Sequence, residues 1–224
     1  ISERLIMAFG EVGTSLSKIK ANSLNLAGTF GFSGTVSGLA DETPLVLIST
    51  FTSDGSDATA SFTSGINSTY KEYMFVFNNI HPETDQNNNF TVNFSADGGS
   101  NYNVTKTTTF FSSEHQENDS DAFMAYKTSD DLAQSTGAQM LTTTAGVSAD
   151  ADHGTSGFLK LYNPSSTTFV KHFISTTNFV HWQNVTANVF VAGYANTTSA
   201  INAVQFKFSS GEIQGGTIDL FGVV

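Results

Sequence analysis

The first twenty residues carry a hydrophobic stripe with helical spacing. It consists of Leu5, Phe9, Val12, Leu16 and Ile19, separated by four, three, four and three positions, which places all five on one face of an α-helix. The stripe lasts only about two heptads and two glycines interrupt it, so the helix is marginal unless it packs against something. It could lie on its own domain, or form a short helical bundle between identical subunits.

Beyond this stripe the hydrophobic period changes from about three and a half residues to two. The segment NSLNLAGTFGFSGTVSGL (22–39) alternates in short pieces separated by glycines. Strands this short cannot build a core alone, so we expect a β-rich shaft or collar stabilised by neighbouring copies. The polar DETP (41–44), which ends in a proline, marks a boundary. Residues 1–43 are therefore predicted to form an oligomerisation segment, and residues 44–224 a separate domain.

Residues 44–224 hold ten predicted strands separated by turn clusters. They are 45–51, 70–80, 90–95, 104–111, 122–126, 157–162, 169–175, 185–194, 201–209 and 216–223. Uneven strand lengths and the absence of a blade-length repeat favour two packed antiparallel sheets over a barrel or propeller. The prediction is an all-β, jelly-roll-like sandwich.

The alternation also predicts which side chains point inward. In FTVNFS (90–95) the phenylalanines and Val92 are expected inside, with Thr91 and Asn93 outside. In the C-terminal runs, Phe206 and Leu220 belong to two inward rows joined by an SSG turn. The charged stretch SSEHQENDSD (112–121) is predicted to be a loop.

Composition narrows the classes of partner. The net charge of -11 repels phosphate and so argues against nucleic acid and anionic membranes as partners. No apolar run is long enough to predict membrane insertion, and the absence of cysteine removes disulfides and thiolate chemistry. With charged residues at only 13%, the polar surface must come from uncharged Ser, Thr and Asn.

Catalytic and metal-binding patterns are sparse. The GxSxG, HExxH, GxGxxG and P-loop motifs are missing, so we expect no enzyme. His172 and His181 flank an apparent turn and could meet across a hairpin as two zinc ligands. Asp150 and Asp152 alternate in SADADHG (148–154), a weak calcium pattern, with a solvated acidic loop as the alternative.

Carbohydrate binding fits the composition better. Sugars are held by aromatic rings together with neutral and acidic hydrogen-bonding groups, and the chain is rich in both. Its single tryptophan, Trp182, is followed by Gln183 and Asn184. The candidate carbohydrate- or receptor-binding rings are Trp182, Tyr102, Tyr126 and Tyr162. The alternative for a lone tryptophan in a sandwich is a place in the core.

Three turn motifs carry a resemblance to a known family. They are NIHP (79–82), SADGGSNY (95–102) and SSGEIQGGTIDLFG (209–222). Together they resemble a C-terminal module of bacteriophage tail fibres and related virion fibre proteins. The resemblance covers about residues 70–224 and implies a jelly-roll lobe on a homotrimer. Such a protein is assembled in the host cytoplasm, sits on the virion among other structural proteins, and contacts a host glycan or outer-membrane protein.

Two functions from other classes stay open at this point. A carbohydrate-active enzyme such as a capsule depolymerase would need two carboxylates in one cleft, about 5 to 9.5 Å apart. A cellular carbohydrate-binding module would need the same scaffold and no virion. The leading prediction is a trimeric tail, head or collar fibre subunit that attaches to a host-surface carbohydrate.

Overall fold

The computed structural model describes residues 44–85 and 88–224. The predicted N-terminal helix and shaft segment lie outside this range. The described chain is all β, with antiparallel strands in two sheets, as the alternation predicts. Within these residues no helix is long and apolar enough to cross a membrane.

All ten predicted strands are present, and two short ones are added. The strands are β1 (Leu45–Thr52), β2 (Ala60–Phe62), β3 (Glu72–Pro82), β4 (Phe90–Ser95), β5 (Lys106–Gln116), β6 (Ala122–Tyr126), β7 (Gln139–Met140), β8 (Thr155–Tyr162), β9 (Lys171–His181), β10 (Val185–Ala195), β11 (Ala203–Phe208) and β12 (Ile213–Val223). The sequence missed β2 and β7, because runs of three and two residues leave too little alternation to detect.

The strands form an eight-stranded large sheet and a four-stranded small sheet. The large sheet has the order β1-β12-β3-β8-β9-β10-β5-β6, and the small sheet has the order β2-β11-β4-β7. β5–β6 and β9–β10 are hairpins, and β5 pairs with β10 along eleven residue pairs. These two hairpins make up one half of the large sheet.

The register defines two ends of the large sheet. At one end Leu45 pairs with Val223, and the Val224 N–H donates to the Pro44 carbonyl at 3.1 Å. We call this the stem end, because the chain enters the described domain there. At the opposite end lie the β5–β6 and β9–β10 turns, where Gln116 pairs with Val185. We call this the tip end.

The inward rows of both sheets meet in an aromatic core. Phe206 of β11 is fully buried, and its ring lies within 6.2 Å of the rings of Phe62, Phe75, Phe77 and Phe90, measured between centroids. Leu220 of β12 is fully buried as well. The two C-terminal rows are thus inward as predicted. They belong to opposite sheets, so the chain crosses the sandwich at its last turn.

Two sequence-based placements are wrong. Residues 112–116 are not a loop. They extend β5, where their backbone groups pair with those of β10 although their side chains are polar. Thr91 and Asn93 do not face solvent and are at most 9% exposed. The Asn93 amide accepts a hydrogen bond from the Lys106 ammonium (Nζ to Oδ1, 2.6 Å) and donates to the Thr136 carbonyl at 3.1 Å. Buried polar groups paired in this way escape most of the desolvation penalty.

Candidate functional site

The four aromatic residues predicted to bind carbohydrate do not form one platform. Trp182 lies in the β9–β10 turn at the tip end, whereas Tyr162 closes β8 at the stem end. Tyr126 is 52% exposed on β6, and its hydroxyl donates to Asp131 Oδ2 at 2.5 Å, which raises the pKa of Tyr126. Tyr102 lies in the loop before β5, and its hydroxyl oxygen is buried without a hydrogen-bond partner among the described residues.

Trp182 is half-buried and its position is set by the β9–β10 turn. Its ring stacks on that of His181, with centroids 5.8 Å apart and planes inclined by 16°. The Gln183 N–H donates to His181 Nδ1 at 3.0 Å, and the Asn184 N–H donates to the His181 carbonyl at 3.0 Å. Asn184 adopts φ 59°, a left-handed conformation that asparagine tolerates and that closes a three-residue hairpin loop.

The buried His181 side chain supports this turn. It is 5% exposed, and burial lowers its pKa because desolvation disfavours the imidazolium, although the Glu114 and Asp85 carboxylates act in the opposite direction. An Nδ1 atom that accepts from Gln183 also requires the lone pair of a neutral ring. The neutral imidazole therefore holds both the Trp182 ring and the backbone of the turn.

The neighbouring β5–β6 turn completes a concave site. The Glu117 N–H donates to the Asn184 carbonyl at 3.1 Å, which joins the tips of the two hairpins. Between them lies a pocket of about 150 Å³, lined by Gln116, Glu117, Asn118, Gln183 and Asn184. We call it the hairpin-tip pocket. Four of its five side chains are neutral amides, which can both donate to and accept from hydroxyl groups.

The tip end of the domain is acidic. Among the described residues, its connecting loops hold carboxylates and no lysine or arginine: Asp54, Asp57, Glu83, Asp85, Glu117, Asp119, Asp121, Asp150, Asp152 and Glu212. The loops at the stem end, 63–71, 96–105, 163–170 and 196–202, contain one aspartate, Asp97, and one lysine, Lys71. The hairpin-tip pocket therefore lies in a field that disfavours anionic ligands.

The side chains of Asp150 and Asp152 both lie near the ring of His153. Asp150 Oδ2 is 3.8 Å from His153 Nδ1, and Asp152 Oδ1 is 3.8 Å from His153 Nε2. The two carboxylates thus approach different nitrogens of one imidazole. Across the described part of the chain, no three His, Cys, Asp or Glu side chains are grouped to hold a metal ion. A calcium site at these aspartates remains a prediction.

The proposed meeting of His172 and His181 across a hairpin is wrong. Both lie on β9, at opposite ends of an eleven-residue strand, and His172 is exposed while His181 is buried. The apparent turn between them is strand: Thr176 and Thr177 continue the alternation of β9, because threonine is a good strand former. The actual turn follows His181 and consists of residues 182–184.

A second depression, which the sequence did not predict, lies on the outer face of the large sheet. It has a volume of about 400 Å³, and its lining includes Thr109, His172, Ile174, Ala192 and Tyr194. The His172 and Tyr194 side chains are cross-strand neighbours, with ring centroids 6.3 Å apart. The only signal in the sequence was the pair of small residues in VFVAGY (189–194), which leaves room between larger neighbours.

No protein-family model, curated protein or solved structure matches the chain. Its function is therefore inferred from its own residues.

Proposed function

We propose that this chain is a non-enzymatic subunit of a bacteriophage virion fibre, on the tail, head or collar, which binds carbohydrate on the host surface as a homotrimer. The observation that carries the carbohydrate-binding part is the hairpin-tip pocket, which is formed in part by the turn that also contains Trp182. The virion assignment rests on the three fibre-like turn motifs.

The strand order supports a jelly-roll topology for the lobe. When β5, β6, β9 and β10 are set aside and the remaining eight strands are renumbered, the two sheets have the orders 1-8-3-6 and 2-7-4-5. This is the order of a jelly roll, in which each strand faces its successor across the sandwich. The two hairpins are then insertions into that scaffold, and the hairpin-tip pocket is formed by their turns.

The turn motifs are evidence for the fold of the domain and not for its binding site. NIHP (79–82) contains Asn79, which has φ 49° where β3 bulges. In SADGGSNY (95–102), the Asp97 carboxylate accepts from the Ser95 hydroxyl and from the N–H and amide of Asn101, which holds its pKa at about 2. Motifs that fix backbone turns indicate the structural class of a domain. Ligand binding depends instead on the inserted loops.

The chemistry of the hairpin-tip pocket favours a sugar. Amides of Gln116, Asn118, Gln183 and Asn184 match the alternating donors and acceptors of sugar hydroxyls. Trp182, which is half-buried and precedes Gln183 in the same turn, would supply the ring for the apolar face of a pyranose. The acidic tip end favours a neutral or amino sugar over an acidic one. The pocket lies at the tip end, opposite the end of the large sheet at which the Val224 N–H donates to the Pro44 carbonyl.

Trimerisation would raise the strength of attachment. A pocket of this size contacts little more than one sugar ring, and single contacts of that kind are weak. Three pockets on one trimer, and several trimers on one particle, convert weak contacts into lasting attachment to a repeating polysaccharide.

The binding proposal is tested with the full chain on a panel of neutral, amino and acidic bacterial surface oligosaccharides. We expect neutral or amino sugars to bind, Trp182→Ala to lose at least tenfold in affinity, and Phe169→Ala, which alters an exposed ring at the stem end, to bind as wild type. Absence of binding to every glycan on the panel would contradict the proposal. Release of new reducing ends from a bound polysaccharide would point to an enzyme instead.

A further inference from the structure

A small polar depression adjoins the hairpin-tip pocket on the outer face of the large sheet. It has a volume of about 140 Å³, and its lining includes four outward side chains: Ser113, His115, Thr186 and Asn188. They belong to two successive outward pairs of the β5–β10 ladder, His115 with Thr186 and Ser113 with Asn188. The positions between them on each strand face the interior. We call these four residues the polar strip.

The polar strip and the hairpin-tip pocket lie on one continuous ladder. The hydrogen bond from the Glu117 N–H to the Asn184 carbonyl extends the register of the His115–Thr186 pair by two residues. Glu117 and Asn184 both line the hairpin-tip pocket. Alternate pairs on a ladder are about 7 Å apart, so the pocket and the strip together span about 14 Å. A ligand in the pocket can therefore continue onto the strip along the same two strands.

The polar strip offers hydrogen-bonding groups that the protein does not itself use. The Ser113 hydroxyl and the Asn188 amide have no hydrogen-bond partner among the described residues. His115 Nε2 is 3.1 Å from Asp119 Oδ1, and because a carboxylate accepts, Nε2 carries the proton and a neutral ring leaves Nδ1 as a free acceptor. Thr186 Oγ1 accepts from the Asn178 amide at 3.1 Å, which leaves its own O–H free to donate.

An aromatic pair closes the polar strip on its stem side. Phe111 and Phe190 are the next outward pair of the ladder, and their rings stack with centroids 4.9 Å apart and planes inclined by 15°. Phe111 is exposed despite this stacking. An exposed ring at the end of a row of hydrogen-bonding groups suits a sugar, because a sugar presents both apolar C–H faces and hydroxyls.

We infer that the ligand of the hairpin-tip pocket is an oligosaccharide of several neutral or amino sugar units, which lies along the polar strip towards the Phe111–Phe190 pair. This rests on the proposed carbohydrate binding and adds the length and path of the ligand. The hairpin-tip pocket receives one unit, and the strip receives the units that follow. Affinity therefore grows with the number of units, because each unit on the strip adds hydrogen bonds that a single sugar cannot make.

Calorimetry of the full chain tests the length of the site. The probes are linear fragments of one, two and four units from the glycan that binds best in the panel, with the weak single unit measured by ligand-observed NMR. We expect the dissociation constant to fall about tenfold or more between one and four units. Equal affinity for one and four units would overturn the polar-strip inference and leave carbohydrate binding intact. A panel in which no glycan binds would overturn the proposed function itself.

Two variants test the path of the ligand. Asn188→Ala removes an open amide, and Ser113→Tyr fills the depression of the polar strip. Each should weaken binding of the four-unit fragment about fivefold or more and leave the single unit within about twofold, which also shows that the variant is folded. Asn78→Ala is the matched control, because Asn78 is exposed on the same face of the sheet, three strands from β10.

Two results would contradict this path. Equal losses for the single unit and the four-unit fragment would mean that these positions act on the hairpin-tip pocket alone. Wild-type affinity of both variants for the four-unit fragment would mean that the ligand leaves the pocket in another direction. Either result would overturn the polar-strip inference.

Discussion

Gly216 of β12 packs directly against the main chain of Asn79 in β3. A Cβ built on Gly216 would lie 2.5 Å from the Asn79 carbonyl oxygen and 2.7 Å from that of Asn78. Gly216 has φ 99° and Asn79 has φ 49°, and the β3–β12 register shifts between Gly215 and Thr217. Two of the three fibre-like motifs, 79–82 and 209–222, therefore meet at one bulged contact, although 137 positions (216 minus 79) separate these two residues.

The Gly216 contact predicts a large effect of a single methyl group. Gly216→Ala adds a backbone clash to an unfavourable φ, and we expect it to lower the free energy of unfolding by about 2 to 4 kcal/mol. Gly98→Ala is the control, because Gly98 has φ 73° with no atom within 4 Å of the added Cβ, and should cost about 1 kcal/mol. Urea denaturation measures both, and equal costs would mean that φ alone, and not the close approach to Asn79, requires glycine.

The aromatic core predicts a sharp contrast between two phenylalanines. Phe206→Ala removes a ring that contacts four others and should cost about 3 to 5 kcal/mol. Phe169→Ala, at 69% exposure, should stay within about 0.5 kcal/mol of wild type. Thermal or urea unfolding monitored by circular dichroism distinguishes them. A mild effect at Phe206 would show that the sheets do not pack through this ring.

Lys106 predicts an unusual dependence of stability on pH. Its ammonium is buried against the Asn93 amide and the Val104 carbonyl, and desolvation lowers its pKa from 10.5 to about 8. Between pH 8 and pH 10.5 the unfolded chain holds a proton on this lysine that the folded chain has released. Stability from this group therefore rises with pH across that window.

The effect is isolated by comparison with Lys106→Met. The difference in free energy of unfolding, wild type minus variant, should increase by about 3 kcal/mol between about pH 7 and about pH 10.5. All other groups titrate alike in both proteins and cancel in the difference. A constant difference would mean that Lys106 keeps an ordinary pKa, and so that water reaches its ammonium.

The sequence was sufficient for the fold class and for much of the core. Alternation in EYMFVF (72–77) and AVQFKF (203–208) identifies Phe75 and Phe206 as inward because half-buried strands repeat every two residues. Local patterns could not show that Thr91 and Asn93 are covered, because their partners come from residues 136 and 207. They also could not show that β5 pairs with β10, which brings the two hairpin turns together.

The candidate site followed only in part from the sequence. Trp182, Gln183 and Asn184 were identified as a group because they are consecutive. Gln116, Glu117 and Asn118 were placed in a charged loop with no link to them. The apolar rows on the outer face of the large sheet were not detected, because each row runs across strands and each strand contributes only one residue to it.

Fluorescence of Trp182 tests the central claim most directly, because it is the only tryptophan in the chain. The full chain is titrated with the neutral or amino oligosaccharide that binds best in the panel, and bound ligand is quantified independently by calorimetry. We expect a saturable change in emission with the same dissociation constant as the calorimetric titration, lost together with binding in Gln183→Ala. Calorimetric binding that leaves Trp182 emission unchanged, and that Gln183→Ala does not weaken, would place the sugar elsewhere and contradict the account.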